Sequence, residues 1–149
     1  MILNVTSNSR IIQNTLRKLQ LRLIETRPLM VNIGGIIQSS ARKRIATTKQ
    51  SPNGQAWKPL SRRTVAERIA EGRDPLDILR RTSALLNSIQ LGEATASRVT
   101  VGSPLEYAGK HQLGDPANRI PARPFLGLDD DDKEVLELAA VQHLEVALR

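Results

Sequence analysis

The sequence contains no cysteine, which excludes disulfide bonds, thiolate nucleophiles and metal sites that depend on thiolate ligands. It also has no apolar run of about eighteen residues, the length that a membrane-spanning helix requires. Residues 1–10 lack the charged segment and the following apolar segment of a signal peptide. We therefore expect a protein that folds in a reducing cytoplasm and has no membrane partner.

Aromatic residues are nearly absent, since the chain has one Trp, one Tyr and one Phe. Hydrophobic residues make up 40% of the sequence, so the core must be modest and built mainly from Ile, Leu, Val and Ala. With 149 residues and no linker-like stretch, the chain has the size of one domain. Small cores are commonly completed by contact with other copies, and we therefore expect an oligomer.

The formal charge of +7 is distributed unevenly along the chain. Residues 1–81 contain 16 Lys and Arg against 5 Asp and Glu, whereas residues 82–149 contain 6 against 10. The basic half could bind nucleic acid, or the basic surface of one subunit could bind the acidic surface of the next. The charge distribution alone leaves both interpretations open.

Two amphipathic helices are predicted at the start of the chain, at residues 8–25 and 28–46. The apolar face of the first consists of Ile12, Leu16, Leu19 and Leu23. The apolar face of the second consists of Met30, Ile33, Ile37, Ala41 and Ile45. Gly34 and Gly35 interrupt the second helix, and a tight contact with another element would explain them.

The next part of the chain predicts a loop and two short helices. Residues 49–59 are rich in turn formers and predict an exposed loop that holds the single tryptophan, Trp57. Ser61 is suitably located to cap a short helix that ends near residue 72. A further helix is predicted to start at residues 74–75. The residues on one face of that helix would be Ile78, Thr82 and Leu85.

Helical periodicity then gives way to an alternation of apolar and polar residues, which predicts a β-hairpin at residues 88–102 with its turn at 92–96. Residues 107–114 predict a short helix or turn, and the prolines of residues 120–126 restrict that segment to an edge strand or an extended conformation. A last helix follows from residue 129. The expected fold is α+β, with N-terminal helices and a C-terminal helix packed around a small antiparallel β-sheet. We expect one domain, in which residues 1–47 form a helical arm, residues 48–128 the core and residues 129–149 the C-terminal helix.

Candidate catalytic and metal-binding residues are few. Ser103, His111 and Asp115 could be combined into a triad, but no nucleophile elbow accompanies them. His111 and His143 match no zinc-ligand spacing, so His111 is interpreted as a structural hydrogen-bonding residue. The four aspartates at 129–132 lack the ligand order of a calcium loop and are interpreted as a solvated helix start. We therefore expect no enzyme activity, no cofactor and no metal site.

A cluster of basic residues lies between positions 42 and 63. Clustered cations bind DNA phosphates by releasing counterions, but an aromatic content of 2% provides little for stacking on bases. The cluster is interpreted either as a solvated or subunit-contacting face or as a surface that binds DNA without sequence specificity. Its members are Arg42, Lys43, Arg44, Lys49, Lys58, Arg62 and Arg63.

Three sequence blocks occur in a fixed order: PNGQAWKPLSRRT at residues 52–64, ILRRTSALLNSI at 78–89, and VTVGSPLEYAGKHQLG followed by IPARPFLGL within 99–128. Together they resemble the phage virion morphogenesis family of Mu-like phages, whose members are often labelled tail-completion proteins. Ser83 departs from the family pattern because a glycine is common there, and we expect the serine to make the surrounding helix more continuous. The matching positions are Pro52, Gly54, Trp57, Leu60, Ile78, Leu79, Leu85, Ser88, Ile89, Tyr107, Ala108, His111, Gln112, Gly114 and residues 121–127.

The resemblance implies a structural virion protein of the head–tail junction, either a neck or stopper protein or a tail-completion ring subunit, that is required for head–tail joining. A tail-terminator ring protein and a non-specific DNA-binding protein are the alternatives. The implied partners are further copies of the chain in a ring, for which we expect a hexamer, and other neck proteins such as the adaptor or connector and the tail terminator. Genomic DNA in the channel is a further candidate partner. The protein would be located in the virion after assembly in the host cytoplasm.

The resemblance also suggests roles for particular residues. The basic cluster would face the DNA channel or the acidic C-terminal helix of a neighbouring subunit. The motif residues would shape the central sheet and a subunit contact, or would only fix the fold of the single chain, and both interpretations stay open. These motif residues are Trp57, Tyr107, His111, Gly114, Pro121, Arg123, Pro124 and Phe125.

Overall fold

Helices flank a β-hairpin in this protein, whose computed structural model describes residues 13–14, 17–18, 21 and 25–148. The helices of this part are α1 (Arg27–Lys43), α2 (Arg62–Ala70), α3 (Ala84–Ser88), α4 (Glu106–Leu113) and α5 (Asp130–Leu148). The strands β1 (Gln90–Ala94) and β2 (Val99–Gly102) form an antiparallel sheet. The predicted α+β fold is confirmed. Most of the helix predicted at residues 8–25 lies outside the described residues, and residues 13–14, 17–18 and 21 are helical.

Helix α1 lies against the β-hairpin, and a glycine makes this close contact feasible. A β-carbon at Gly34 would collide with the side chain of Leu91 and would lie 2.7 Å from Cγ2 of Val99. No atom within 4 Å would meet a β-carbon at Gly35. The predicted tight contact is therefore confirmed for Gly34 and not for Gly35. The helix continues as a π-helical turn, Arg44–Thr48, and ends at Lys49, whose φ is 53°.

The predicted hairpin is confirmed, with its turn shifted along the chain. Gln90 pairs with Gly102 and Leu91 with Val101, and the register then shifts before Ala94 pairs with Val99. The turn therefore occupies residues 95–98 rather than 92–96. Its ends are joined by a hydrogen bond from the backbone N–H of Thr95 to the carbonyl oxygen of Arg98, with a length of 2.8 Å.

The core is mainly aliphatic, as the composition predicts, and it also contains two of the three aromatic side chains. The loop at residues 49–59 is largely exposed as predicted, whereas the side chain of Trp57 within it is only 6% exposed. The last two turns of the segment predicted as an arm contribute Ala41 and Ile45 to this core. The buried members are Ala41, Ile45, Trp57, Ile78, Leu85, Ile89, Ala108 and Phe125.

The helix predicted from residue 74 is wrong, because residues 74–83 form turns and α3 begins only at Ala84. Leu79 and Ser83 have φ values of 63° and 58°, which interrupt any right-handed helix. Ser83 therefore does not make the helix more continuous. The glycine common at this position in the family pattern fits the left-handed conformation, since glycine adopts it without a steric cost.

Helices α2 and α5 leave much of their apolar surface exposed. Ser61 caps α2 as predicted, accepting a hydrogen bond of 3.2 Å from the backbone N–H of Thr64. The residue that α2 buries is Arg68, whereas Ile69 is exposed. Helix α5 packs against α1 and buries Ala139. Residues 120–128 contain no strand and follow the extended alternative.

Candidate functional site

The 120–128 segment is held by the side chains of Trp57 and Gln112 rather than by a neighbouring strand. The indole Nε1 of Trp57 donates a 3.0 Å hydrogen bond to the carbonyl oxygen of Pro124. The side-chain oxygen of Gln112 accepts 3.0 Å hydrogen bonds from the backbone N–H groups of Phe125 and Leu126, and its amide nitrogen donates to the carbonyl of Leu126 at 2.9 Å. These contacts satisfy backbone groups that a β-sheet would otherwise pair.

Arg123 connects the first motif block to the third. Its Nε donates to the carbonyl oxygen of Lys58 at 3.0 Å, and its Nη2 donates to that of Pro59 at 3.1 Å. Its backbone N–H donates to the carbonyl oxygen of His111 at 2.7 Å. Gly114 lies under the same segment, where a β-carbon would come within 3.0 Å of the backbone nitrogen of Ala122. Arg123 and Gly114 therefore hold the third motif block in place within the subunit.

Arg44 forms an ion-paired centre at the start of α5. Its Nη2 lies 2.7 Å from Asp129 Oδ2 and 2.6 Å from Asp132 Oδ2. Its Nη1 donates to the carbonyl oxygens of Gly127 at 2.8 Å and Phe125 at 3.2 Å. Arg44 and Asp132 are both buried, so this guanidinium joins α1, the 120–128 segment and α5.

The four aspartates were predicted to be a solvated helix start, and this is wrong for Asp129 and Asp132. Asp132 is buried and Asp129 is partly buried, whereas Asp130 and Asp131 are exposed. Burial raises the pKa of Asp129, but the hydrogen bond from Arg44 and the backbone N–H of Asp132 outweigh it, so this pKa lies below its ordinary value. The sequence shows the acidic run, whereas the position of Arg44 opposite it depends on the tertiary fold.

The basic cluster is divided by the fold. Arg44 is buried, and Lys49 is partly buried beside Asp77, with 2.5 Å between its Nζ and Oδ1 of the aspartate. Arg42 donates to the carbonyl oxygen of Ile89 at 2.8 Å. The four other members are exposed but do not form one patch. Lys43 lines a cavity beside the start of α5, whereas Lys58 and Arg63 line a groove on the α2 side. Including Arg42, the exposed members are Arg42, Lys43, Lys58, Arg62 and Arg63.

That groove has a volume of about 1510 Å³ and lies between α2, residues 79–85, α4 and residues 113–123. We call it the α2–α4 groove. Its described lining residues include six cationic side chains against one acidic side chain, that of Glu67, which is paired with Arg63 at 2.9 Å. The cationic lining residues are Lys58, Arg63, Arg68, Arg81, Arg119 and Arg123.

Two of these cations, Arg68 and Arg123, are each only 6% exposed. Arg68 donates to the carbonyl oxygen of Asp77 at 2.5 Å and to that of Asp74 at 3.3 Å, while its buried Nε has no partner among the described residues. Within that part of the chain neither guanidinium is ion-paired. Burial and the nearby charge of Arg68 lower the pKa of Arg123. Arg68 has no signature in the sequence, because its burial follows from the packing of α2.

His111 also lines the α2–α4 groove. Its pKa lies below the ordinary value because burial disfavours the charged ring, and the charge of Arg123 adds to this effect. The ring stands edge-on to Tyr107, with 5.9 Å between centroids. Its Nδ1 is buried and has no hydrogen-bond partner in the described part of the chain.

The residues of the discounted triad have separate structural contacts. Ser103 Oγ lies 2.7 Å from Ser88 Oγ. Asp115 accepts a 2.7 Å hydrogen bond from the side chain of Asn118 and caps the turn Pro116–Asn118. Among residues 25–148 and the few described before them, no group of His, Asp and Glu side chains is arranged to hold a metal ion. In that same part of the chain, no helix is long and apolar enough to cross a bilayer.

The geometry thus defines a small α+β domain whose sequence motifs build its scaffold around one extended segment. Residues 7–145 match the phage virion morphogenesis family, and the chain belongs to this family. The family has a structural role in virion assembly, so the protein is associated with the phage virion. No curated protein and no solved structure gave a significant match.

Proposed function

We propose that this protein is a ring subunit of the phage head–tail junction, acting there as a neck, stopper or tail-completion protein that joins head and tail. The family match over residues 7–145 is the observation that carries the proposal. The chain also exposes apolar side chains, including Leu113 on the rim of the α2–α4 groove and Leu138 and Val141 on α5. Apolar surface of this kind favours contact with other proteins of the particle.

The proposed role is structural rather than enzymatic. The motif residues Trp57, Gln112 and Arg123 use their polar atoms to hold backbone groups of the same chain. Such contacts support a rigid subunit, and a rigid subunit suits a junction that must transmit DNA without losing it. Ring partners would include the adaptor or connector above and the tail terminator below.

The exposed cations support a contact with genomic DNA in the channel. Lys43 and Arg62 are exposed, and neither takes part in an ion pair within the described residues. DNA in the channel would be bound through its phosphates and without sequence readout, because the chain has so few aromatic side chains. A free DNA-binding protein remains the second candidate, and a steep fall of DNA affinity with added salt for an isolated monomer would favour it.

Inactivating the gene in its phage tests the proposed function. We expect electron micrographs of the lysate to show DNA-filled heads and finished tails that have not joined. Supplying the wild-type protein from a plasmid should restore complete particles. Tails of irregular length would instead favour the tail-terminator alternative, and a normal yield of complete particles would overturn both assignments.

A further inference from the structure

We propose that the α2–α4 groove binds the outward face of α5 from a second copy of this chain. Each subunit would then hold the C-terminal helix of its neighbour. This inference rests on the proposed ring, and it identifies the two surfaces that would meet there.

The groove contains two buried cations that no carboxylate of the described residues neutralises. Among the described residues, Arg68 and Arg123 are both buried and donate only to carbonyl oxygens, and Nε of Arg68 has no partner. Burying a guanidinium is costly unless a carboxylate accompanies it. A carboxylate entering the groove could accept a hydrogen bond from the planar guanidinium of Arg68, whose Nε has no acceptor among the described residues.

The dimensions and rim of the groove favour a polypeptide over a small anion. Its volume of about 1510 Å³ exceeds the roughly 300–1,000 Å³ of small-molecule sites. Leu113 is 81% exposed beside it, and Tyr107 is exposed on the α4 side. A phosphate group would leave these apolar side chains in water, whereas a helix that carries both carboxylates and apolar side chains would cover them.

The outward face of α5 has this chemistry. Leu138 and Val141 are exposed there, and the exposed carboxylates Glu134 and Glu145 lie within the same face at helical spacing. The whole of α5 contains six acidic residues and one basic residue. The acidic, apolar face therefore complements a basic groove with an apolar rim.

The two surfaces do not overlap on one subunit. No described residue of α5 lines the α2–α4 groove, because α5 packs against α1. A subunit could therefore offer its helix to one neighbour while its groove holds the helix of another. Head-to-tail contacts of this kind close into a ring when the rotation between subunits allows it.

Cysteine cross-linking tests the contact in the full chain, which has no cysteine of its own. One batch would carry Leu113→Cys in the groove and a second Leu138→Cys on α5. After mixing and mild oxidation, we expect a disulfide-linked dimer of one copy from each batch as the main product. The control pairs Leu138→Cys with Leu76→Cys, because Leu76 is 79% exposed but does not line the groove.

The outcomes separate this inference from the proposed function. Equal cross-linking of the Leu76→Cys control, or dimers formed only within one batch, would overturn the groove contact. Wild-type protein that stays monomeric at every concentration would overturn it as well. The phage experiment described above is independent, since unjoined heads and tails would still support the junction role if the groove contact failed. Circular dichroism of each variant would verify that the fold is retained.

Discussion

At the scale of single residues, Arg44 is a buried charge whose contacts join separate parts of the fold. Its guanidinium is buried and contacts two carboxylates and two carbonyl oxygens on different elements. Removing one partner of a buried ion pair leaves the other charge without compensation. The stability of the subunit should therefore be unusually sensitive to this residue.

Arg44→Met tests this, because methionine keeps much of the apolar bulk and removes the charge. We expect a loss of about 3–5 kcal/mol in the free energy of unfolding, since Asp132 stays buried without its partner. The matched control is Arg62→Met, which is exposed and should change the same quantity by less than about 0.5 kcal/mol. Urea unfolding followed by circular dichroism measures both, and equal effects of the two variants would contradict the assignment.

The lowered pKa of His111 predicts that the stability of the protein depends on pH. Its folded pKa lies below the ordinary value of 6.5 because of burial and then the charge of Arg123. Below about pH 6.5 the unfolded chain therefore binds a proton that the folded chain does not, so stability falls as the pH falls toward the lower folded pKa. We expect the urea concentration at the midpoint of unfolding to fall when the pH is lowered from about 7.5 to about 5.5. This pH interval lies above the range in which carboxylates titrate.

The matched variant for this effect is His111→Gln, which does not titrate. Its urea midpoint should change less over the same pH interval, whatever its absolute stability. A variant with the same pH slope as the wild type would show that another group causes the effect.

At the scale of secondary-structure elements, the contact between α1 and the hairpin depends on one glycine of an adjacent pair. Gly34 faces Leu91 and Val99, whereas Gly35 faces open space. Gly34→Ala should destabilise the protein by about 1–3 kcal/mol, because Val99 is stiff and cannot move easily. Gly35→Ala should stabilise it by up to about 1 kcal/mol through helix propensity. Thermal unfolding of the two variants measures the difference, and effects of equal sign would contradict it.

The elements also show which parts of the fold can be predicted from sequence patterns. The sequence correctly predicted α1, α2, the hairpin and α5, because each has an apolar periodicity, an alternating pattern or a clear cap. The spacing of Ile78, Thr82 and Leu85 is equally helical, but the φ values of Leu79 and Ser83 are imposed by packing that the sequence does not reveal. The motif residues were found from the resemblance, whereas the buried Arg68 requires the three-dimensional arrangement. Long-range contacts of this kind have no local signature.

At the scale of the whole molecule, the uneven charge of the chain predicts an assembly that salt weakens. If acidic and basic surfaces of neighbours are paired, raising the ionic strength shortens the screening length from about 10 Å at 0.1 M to about 3 Å at 1 M. We expect light scattering on a size-exclusion column to give a lower mass at the higher salt concentration. An assembly with the same mass at both concentrations would contradict charge pairing between subunits.

The Arg44 centre also has a mechanical consequence. It ties the first turn of α5 to the end of α1 and to the 120–128 segment through one guanidinium. The C-terminal helix therefore cannot swing relative to the core without breaking a buried ion pair. A load applied to that helix would be transmitted directly into the scaffold, and the subunit would tilt as one rigid piece.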